Sequence, residues 1–261
     1  MMPKPKIGLS MLFCLGAPFS SLVKNLHKVD VSYVEILDEG LHRLNAKRLE
    51  AIREVAKEKS FELTLHAPFV DMNIASPNPV LRRTILKQLE KSIRYASRLD
   101  CRLLVFHPGK RTGISEFYPG LDWKLNLESM CHLLDVAKRY GVEISVENIP
   151  EPFPFLMKSV EDFSRFYNEF DGNVGFTLDI GHANIGHQVL EFIEQFSEKI
   201  VHIHASDNDG AYDFHRGIGY GNIDWRKVAS AVKKSRYDKI IMLESVDHVE
   251  ESLQKLKELF T

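Results

Sequence analysis

The chain has 261 residues, 44% apolar and 27% charged, which supplies a full hydrophobic core and excludes a natively disordered chain. Its 34 Lys and Arg against 36 Asp and Glu leave a net charge of −2, which excludes a chain-wide pull toward nucleic acid or an anionic membrane. Three cysteines, Cys14, Cys101 and Cys131, form an odd set without paired spacing and point to a reducing, cytoplasmic setting.

At the start, Lys4 and Lys6 lead into the apolar run Ile7–Phe19, which has the outline of a secretory leader. Gly8, Ser10, Gly16 and Pro18 interrupt that run, and Lys6–Leu9 reads better as a first β-strand. From there a short β-rich segment followed by a stretch of helical period recurs along the chain. The strand candidates are Lys6–Leu9, Ser32–Ile36, Phe61–His66, Arg102–His107, Glu143–Glu147, Val174–Asp179, Ile200–His204 and Lys239–Glu244. After the third, Asn78 is placed to cap a helix with Pro79 at its first position, and Leu81, Ile85, Leu89, Ile93 and Ala96 line one face. After the fourth, Leu127, Met130, Leu134 and Ala137 repeat the pattern, and Gly141 supplies the stop. Asp224 and Asp247 stand where caps of the last two helices belong, the latter with Glu250 at capping-box spacing. No linker, low-complexity segment or further membrane-length apolar stretch is present, so no membrane partner is expected. Eight such units predict an α/β fold, a single (β/α)8 TIM barrel over residues 1–261. No G-x-G-x-x-G follows the first strand, which argues against a dinucleotide fold.

Six consecutive strands end on a side chain able to ligate a metal: His66, His107, Glu147, Asp179, His204 and Glu244. A barrel gathers all six at its carboxyl-end face, and the following loops add His182, Asp213 and His215. Carboxylates and imidazoles packed at one mouth repel or compete unless a cation binds them, so a divalent metal is expected. His27, His42, His132 and His248 fall on helices or loops away from this rim and read as surface residues, and His187 as a capping or solvated one. His202, two residues before His204, points into the barrel one layer deeper and reads as a hydrogen-bonded core residue. Glu35, near the end of the second strand, reads either as a substrate contact or as a salt-bridge partner. The run Phe214–Gly221 holds three glycines beside Arg216, and its amides with that guanidinium offer an anion or phosphate site, or else form a plain flexible loop. Trp225 and Phe69 either wall the pocket or pack in the core.

The segments Leu65-His66-Ala67-Pro68, Val105-Phe106-His107-Pro108-Gly109, Ser145-Val146-Glu147-Asn148, Leu178-Asp179-Ile180-Gly181-His182, His202-Ile203-His204-Ala205-Ser206-Asp207, Asp213-Phe214-His215, Gly219-Tyr220-Gly221-Asn222-Ile223 and Leu243-Glu244-Ser245 resemble the xylose-isomerase-like barrel superfamily. That group unites sugar and sugar-phosphate isomerases and epimerases with endonuclease IV. The isomerase branch implies one Mn, Mg or similar ion at Glu147, Asp179, His204 and Glu244, with Glu147 and Glu244 as acid and base around an enediolate. The endonuclease IV branch implies three zinc ions on all nine positions and hydrolysis of a phosphodiester in abasic DNA. The acidic stretch Val34–Gly40 and the absence of a basic excess weigh against a DNA contact. The expectation is therefore a divalent-metal-dependent isomerase or epimerase of a small sugar or sugar phosphate. A trinuclear zinc hydrolase is the alternative, and a non-catalytic metal-binding barrel a third. An oligomer is compatible with the sequence, though no stretch singles out an interface.

Overall fold

Along each strand alternate residues face opposite sides, so one set points at the helices and the other into the barrel. In Glu143–Glu147 the outward pair is Ile144 and Val146, while Ser145 and Glu147 point inward; Gly175–Asp179 repeats this with Phe176 and Leu178 against Thr177 and Asp179. The inner Ser145 and Thr177 hydroxyls meet at 2.6 Å across these two strands. The interior is thus polar just below the mouth, and the apolar outer faces drive the helices onto the sheet.

The computed structural model describes residues 4–260; residues 1–3 and 261 of the expected 1–261 domain lie outside it. Eight parallel strands, β1 (Lys6–Ser10), β2 (Tyr33–Leu37), β3 (Glu62–His66), β4 (Leu103–Phe106), β5 (Glu143–Glu147), β6 (Gly175–Asp179), β7 (Ile200–Ala205) and β8 (Ile240–Leu243), close in sequence order into a barrel. Closure is made by β8 against β1, with Leu9 opposite Leu243. The surrounding helices are α1 (Phe19–Lys28), α2 (Ala46–Lys59), α3 (Pro79–Arg98), α4 (Leu121–Tyr140), α5 (Val160–Glu169), α6 (Ile180–Ile185), α7 (Val189–Phe196), α8 (Trp225–Lys234) and α9 (Val249–Phe260). The apolar start of the chain forms β1, a 3-10 turn over Met11–Cys14 and the first residue of α1. No helix among the described residues is long and apolar enough to cross a membrane.

Local signals act where expected in three helices. Asn78 accepts from the Val80 and Leu81 amides at the head of α3, Gly141 ends α4 at φ +67°, and Asp224 accepts from the Lys227 amide at α8. Asp247 does otherwise. The last helix starts at Val249, and the Asp247 carboxylate instead takes the Gly217 amide at 2.6 Å. His42 is also corrected: it is buried, with Nε2 at 3.0 Å from the Ala17 carbonyl and its ring edge-on to Phe19. Between β6 and its helices the core is aromatic, with Phe163 and Phe176 ring centroids 4.1 Å apart and Phe192 edge-on to Phe163.

Candidate metal centre

The nine side chains expected at the mouth are brought together by the barrel, and they sort into three groups whose ligand atoms lie within 4.8 Å of one another. One is His66, His107 and Glu147; a second is Glu147, Asp179, His204 and Glu244; the third is His182, Asp213 and His215. Glu147 belongs to two groups because its oxygens face different ways. Oε2 lies 3.2 Å from His66 Nε2 and 3.1 Å from His107 Nε2, whereas Oε1 lies 3.0 Å from His204 Nδ1.

Six of the nine stand at or next to a strand end, and His182, Asp213 and His215 follow β6 and β7. Asp179 closes β6 and caps α6, its Oδ1 accepting the His182 amide at 2.6 Å, so the residue expected in a loop, His182, rides on the first turn of a helix. Asn148, next to Glu147, ties β5 to β6: it donates to the Asp179 carbonyl at 3.0 Å and accepts the Asp179 amide at 2.8 Å. Three histidines are fixed by backbone carbonyls at Nδ1, His66 by Ala67 at 2.8 Å, His182 by Asn148 at 2.8 Å and His215 by Glu244 at 3.0 Å. A proton on Nδ1 leaves Nε2 as a lone pair, and Nε2 is the atom that faces the carboxylates. His182 and His215 each place Nε2 at 3.1 Å from Asp213 Oδ2.

His204 is turned the other way. Its Nδ1 lies 3.0 Å from both Glu147 and Glu244, and its Nε2 lies 3.0 Å from Glu35 Oε1. Glu35 is fully buried in the layer below, beside Thr64 at 3.0 Å and His202 at 3.3 Å. It is not in the cavity wall, which corrects the substrate-contact reading in favour of the ion pair.

Charge in this cluster is strongly perturbed. Burial alone pushes the Glu147 carboxyl up, but His204 and His107 outweigh it and hold it well below its usual range. Burial pushes Asp179 up to about 6 against the pull of His182, with Glu147 adding to the rise. Burial opposes protonation of His204, yet Glu244, Glu35 and Glu147 raise it well above normal. The buried oxygens without a hydrogen-bond partner include Asp179 Oδ2 and Asp213 Oδ1. Both belong to the ligand groups, and unpaired buried carboxylate oxygens beside lone-pair imidazoles are a donor set suited to divalent cations.

Above the cluster lies a cavity of about 410 Å³, within the range of small-molecule sites. Phe69 walls it, edge-on to His66 and tilted over His107, with centroids at 5.3 and 5.4 Å. Trp225 does not reach the cavity; its indole donates to buried Asp207 at 2.9 Å. The phosphate reading of the glycine run is also corrected. The amides of Gly217, Ile218 and Gly219 are taken by Asp247, Ser252 and Asp207, and the Arg216 guanidinium stacks over Phe214 at 4.6 Å, outside the cavity wall. Sequence reading missed Phe153, Phe155 and Lys110, which do line the cavity. They follow β5 and β4 in irregular loops, where no periodicity marks a direction.

A family model described as "Xylose isomerase-like TIM barrel" matches residues 23–259. Uncharacterized protein MJ1311 of Methanocaldococcus jannaschii is 32% identical over 92% of this chain and 83% of its own length. A crystal structure of a D-tagatose 3-epimerase-like protein superposes with a TM-score of 0.91 at 31% identity, over 97% of this chain and 96% of that one. Probable endonuclease 4 of Aquifex aeolicus is 27% identical over 67% of this chain and 66% of its own length.

Proposed function

Because the chain belongs to the xylose isomerase-like TIM barrel family, we propose that it is a divalent-metal-dependent isomerase or epimerase of a small sugar or sugar phosphate. The observation that carries this reading is the convergence of Glu147 and Glu244, from strand ends three apart around the barrel, on one atom of His204 beneath a sugar-sized cavity. Glu147, Asp179, His204 and Glu244 would hold the cation, be it Mn, Mg or Zn. When bound there, it neutralises charge that collects on adjacent substrate oxygens.

The protein's own groups account for the proton traffic. Glu147 and Glu244 are both held ionised, His204 offsetting the effect of burial in each, so either can accept a proton from the carbon between two oxygens. One removes it and the other returns it from the opposite side, which inverts that carbon in an epimerase. Phe69 and Phe155 line the cavity over these carboxylates and give it apolar walls. The similarity to an epimerase-like protein over nearly the whole chain supports this choice.

A second reading, a phosphodiester hydrolase, is favoured by one feature: the two further groups, His66–His107–Glu147 and His182–Asp213–His215, are complete. Metal analysis and chemistry separate the two. The isomerase reading expects solvent deuterium to enter a ketose or ketose phosphate, with Glu147→Gln lowering the rate by at least about a hundredfold. Absence of exchange across a broad panel, together with close to three zinc ions per chain and nicking of an abasic duplex, would replace it with the hydrolase.

A further inference from the structure

We propose that Lys110 makes the cavity selective for a small ligand carrying a phosphoryl group, a sugar phosphomonoester rather than a free sugar. This substrate class rests on the reading of the mouth as a sugar-converting site. The cations near the mouth differ in how they are engaged. Arg111 pairs with Asp122 at 3.4 Å, Lys158 with Glu151, and Arg216 lies over Phe214 away from the cavity. Lys110 lines the cavity, and among the described residues no carboxylate pairs with its ammonium. Its Nζ sits 4.8 Å from the Phe155 ring centroid, a contact that orients a cation without neutralising it.

The backbone beneath it is rigidly held. The Asn73 side chain takes the Lys110 amide at 2.8 Å and donates to its carbonyl at 3.1 Å. A bridge joins Lys110 to Phe155 across the two loops, flanked by Arg111 donating to Pro154 at 2.6 Å and Leu156 donating to Gly109 at 2.9 Å. The Gly109 amide is fixed in turn by Asn126 at 2.7 Å. Asp71, the one carboxylate of the wall outside the ligand groups, is exposed.

An ammonium on a fixed loop, beside an apolar stretch of wall that includes Phe69, Ile149, Phe153 and Phe155, is a point charge suited to a phosphoryl group. The same cavity reaches Glu147 and Glu244, so a short ligand can lie with its anionic end at Lys110 and its reacting carbon over the two glutamates. A neutral sugar offers that ammonium hydroxyl oxygens as acceptors but no charge to pair with it.

Calorimetry on metal-loaded protein tests this with three probes: ribose 5-phosphate, ribose and inorganic phosphate. Wild type should bind ribose 5-phosphate at least about tenfold more tightly than ribose, Lys110→Met should erase that advantage, and Lys110→Arg should keep most of it, with metal content unchanged in both. Equal affinity for the two sugars in wild type, binding of neither, or an advantage that survives Lys110→Met would overturn the proposal; survival would put the phosphoryl group on the cations. Inorganic phosphate binding as tightly as the sugar phosphate would overturn the substrate class and leave a bare anion site. Deuterium exchange is read separately: a Lys110-dependent preference without exchange removes the isomerase and leaves the phosphoryl site standing.

Discussion

An imidazole has a single lone pair to give, and the hydrogen bond at its other nitrogen decides which one. His66, His182 and His215 are each pinned at Nδ1 by a backbone carbonyl, which no side-chain substitution removes. His204 has no such carbonyl at Nε2 and faces the Glu35 carboxylate there as an ion pair, at 3.0 Å. Glu35→Gln keeps the volume but removes the charge that holds the proton there. Metal affinity of the inner group should fall about 10- to 100-fold by chelator competition, with far-UV circular dichroism unchanged; an unaltered affinity would show that Glu35 only fills space. The sequence leaves Glu35 open to a substrate contact or a salt bridge because it stands near the end of the expected strand Ser32–Ile36; the strand runs Tyr33–Leu37, so Glu35 lies a full inward-facing position below the end. One residue of register separates a wall position from a supporting one.

The segment from Asp207 to Trp225 shows how an element can be legible in outline and opaque in purpose. Its glycines are visible in the sequence, but the groups that approach them come from elsewhere in the fold. Asp207, fully buried, accepts from the amides of Asn208 and Gly219 and from the Trp225 indole at 2.9, 2.8 and 2.9 Å, so one carboxylate organises the whole loop. Gly221 is a site of close approach: a Cβ there would run into the Asn208 carbonyl oxygen and Asp207 Oδ1, both fixed. Gly221→Ala should therefore destabilise the protein by at least about 1–3 kcal/mol, read from the denaturant midpoint. It should also weaken metal binding at Asp213 and His215, which the same loop carries. Wild-type stability in the Gly221→Ala variant would mean the loop simply swings aside. The caps at Asn78 and Asp224 were readable because a cap is local; the partner of Asp247 is 30 residues away.

For the molecule as a whole, short β-rich runs alternating with amphipathic helices point to a closed barrel, and closure alone carries six strand ends to one mouth. That much follows from pattern, whereas the walls, contributed by aperiodic loops, do not. Protonation couples the mouth to global stability. In the metal-free fold burial opposes the charge on His215, but Asp213 beside it wins and raises the imidazole to about 9; His182 and His204 are raised in the same way. A histidine raised above the unfolded 6.5 contributes stability that is full below that pH and lost as pH climbs through 9. Metal-free protein should therefore melt at progressively lower temperature from about pH 7 to 9, while metal-loaded protein, whose ligands have already shed those protons, should not. Parallel melting curves for chelated and loaded samples across that range would contradict this. The double membership of Glu147 also sets a direction of change. Substituting His66 or His107 empties an outer position and spares a four-donor inner one, but no substitution of Glu147 spares its neighbours. Loss of an outer group thus lies within reach of a single substitution, whereas its regain would have to restore each missing side chain around a carboxylate that the inner group already shares.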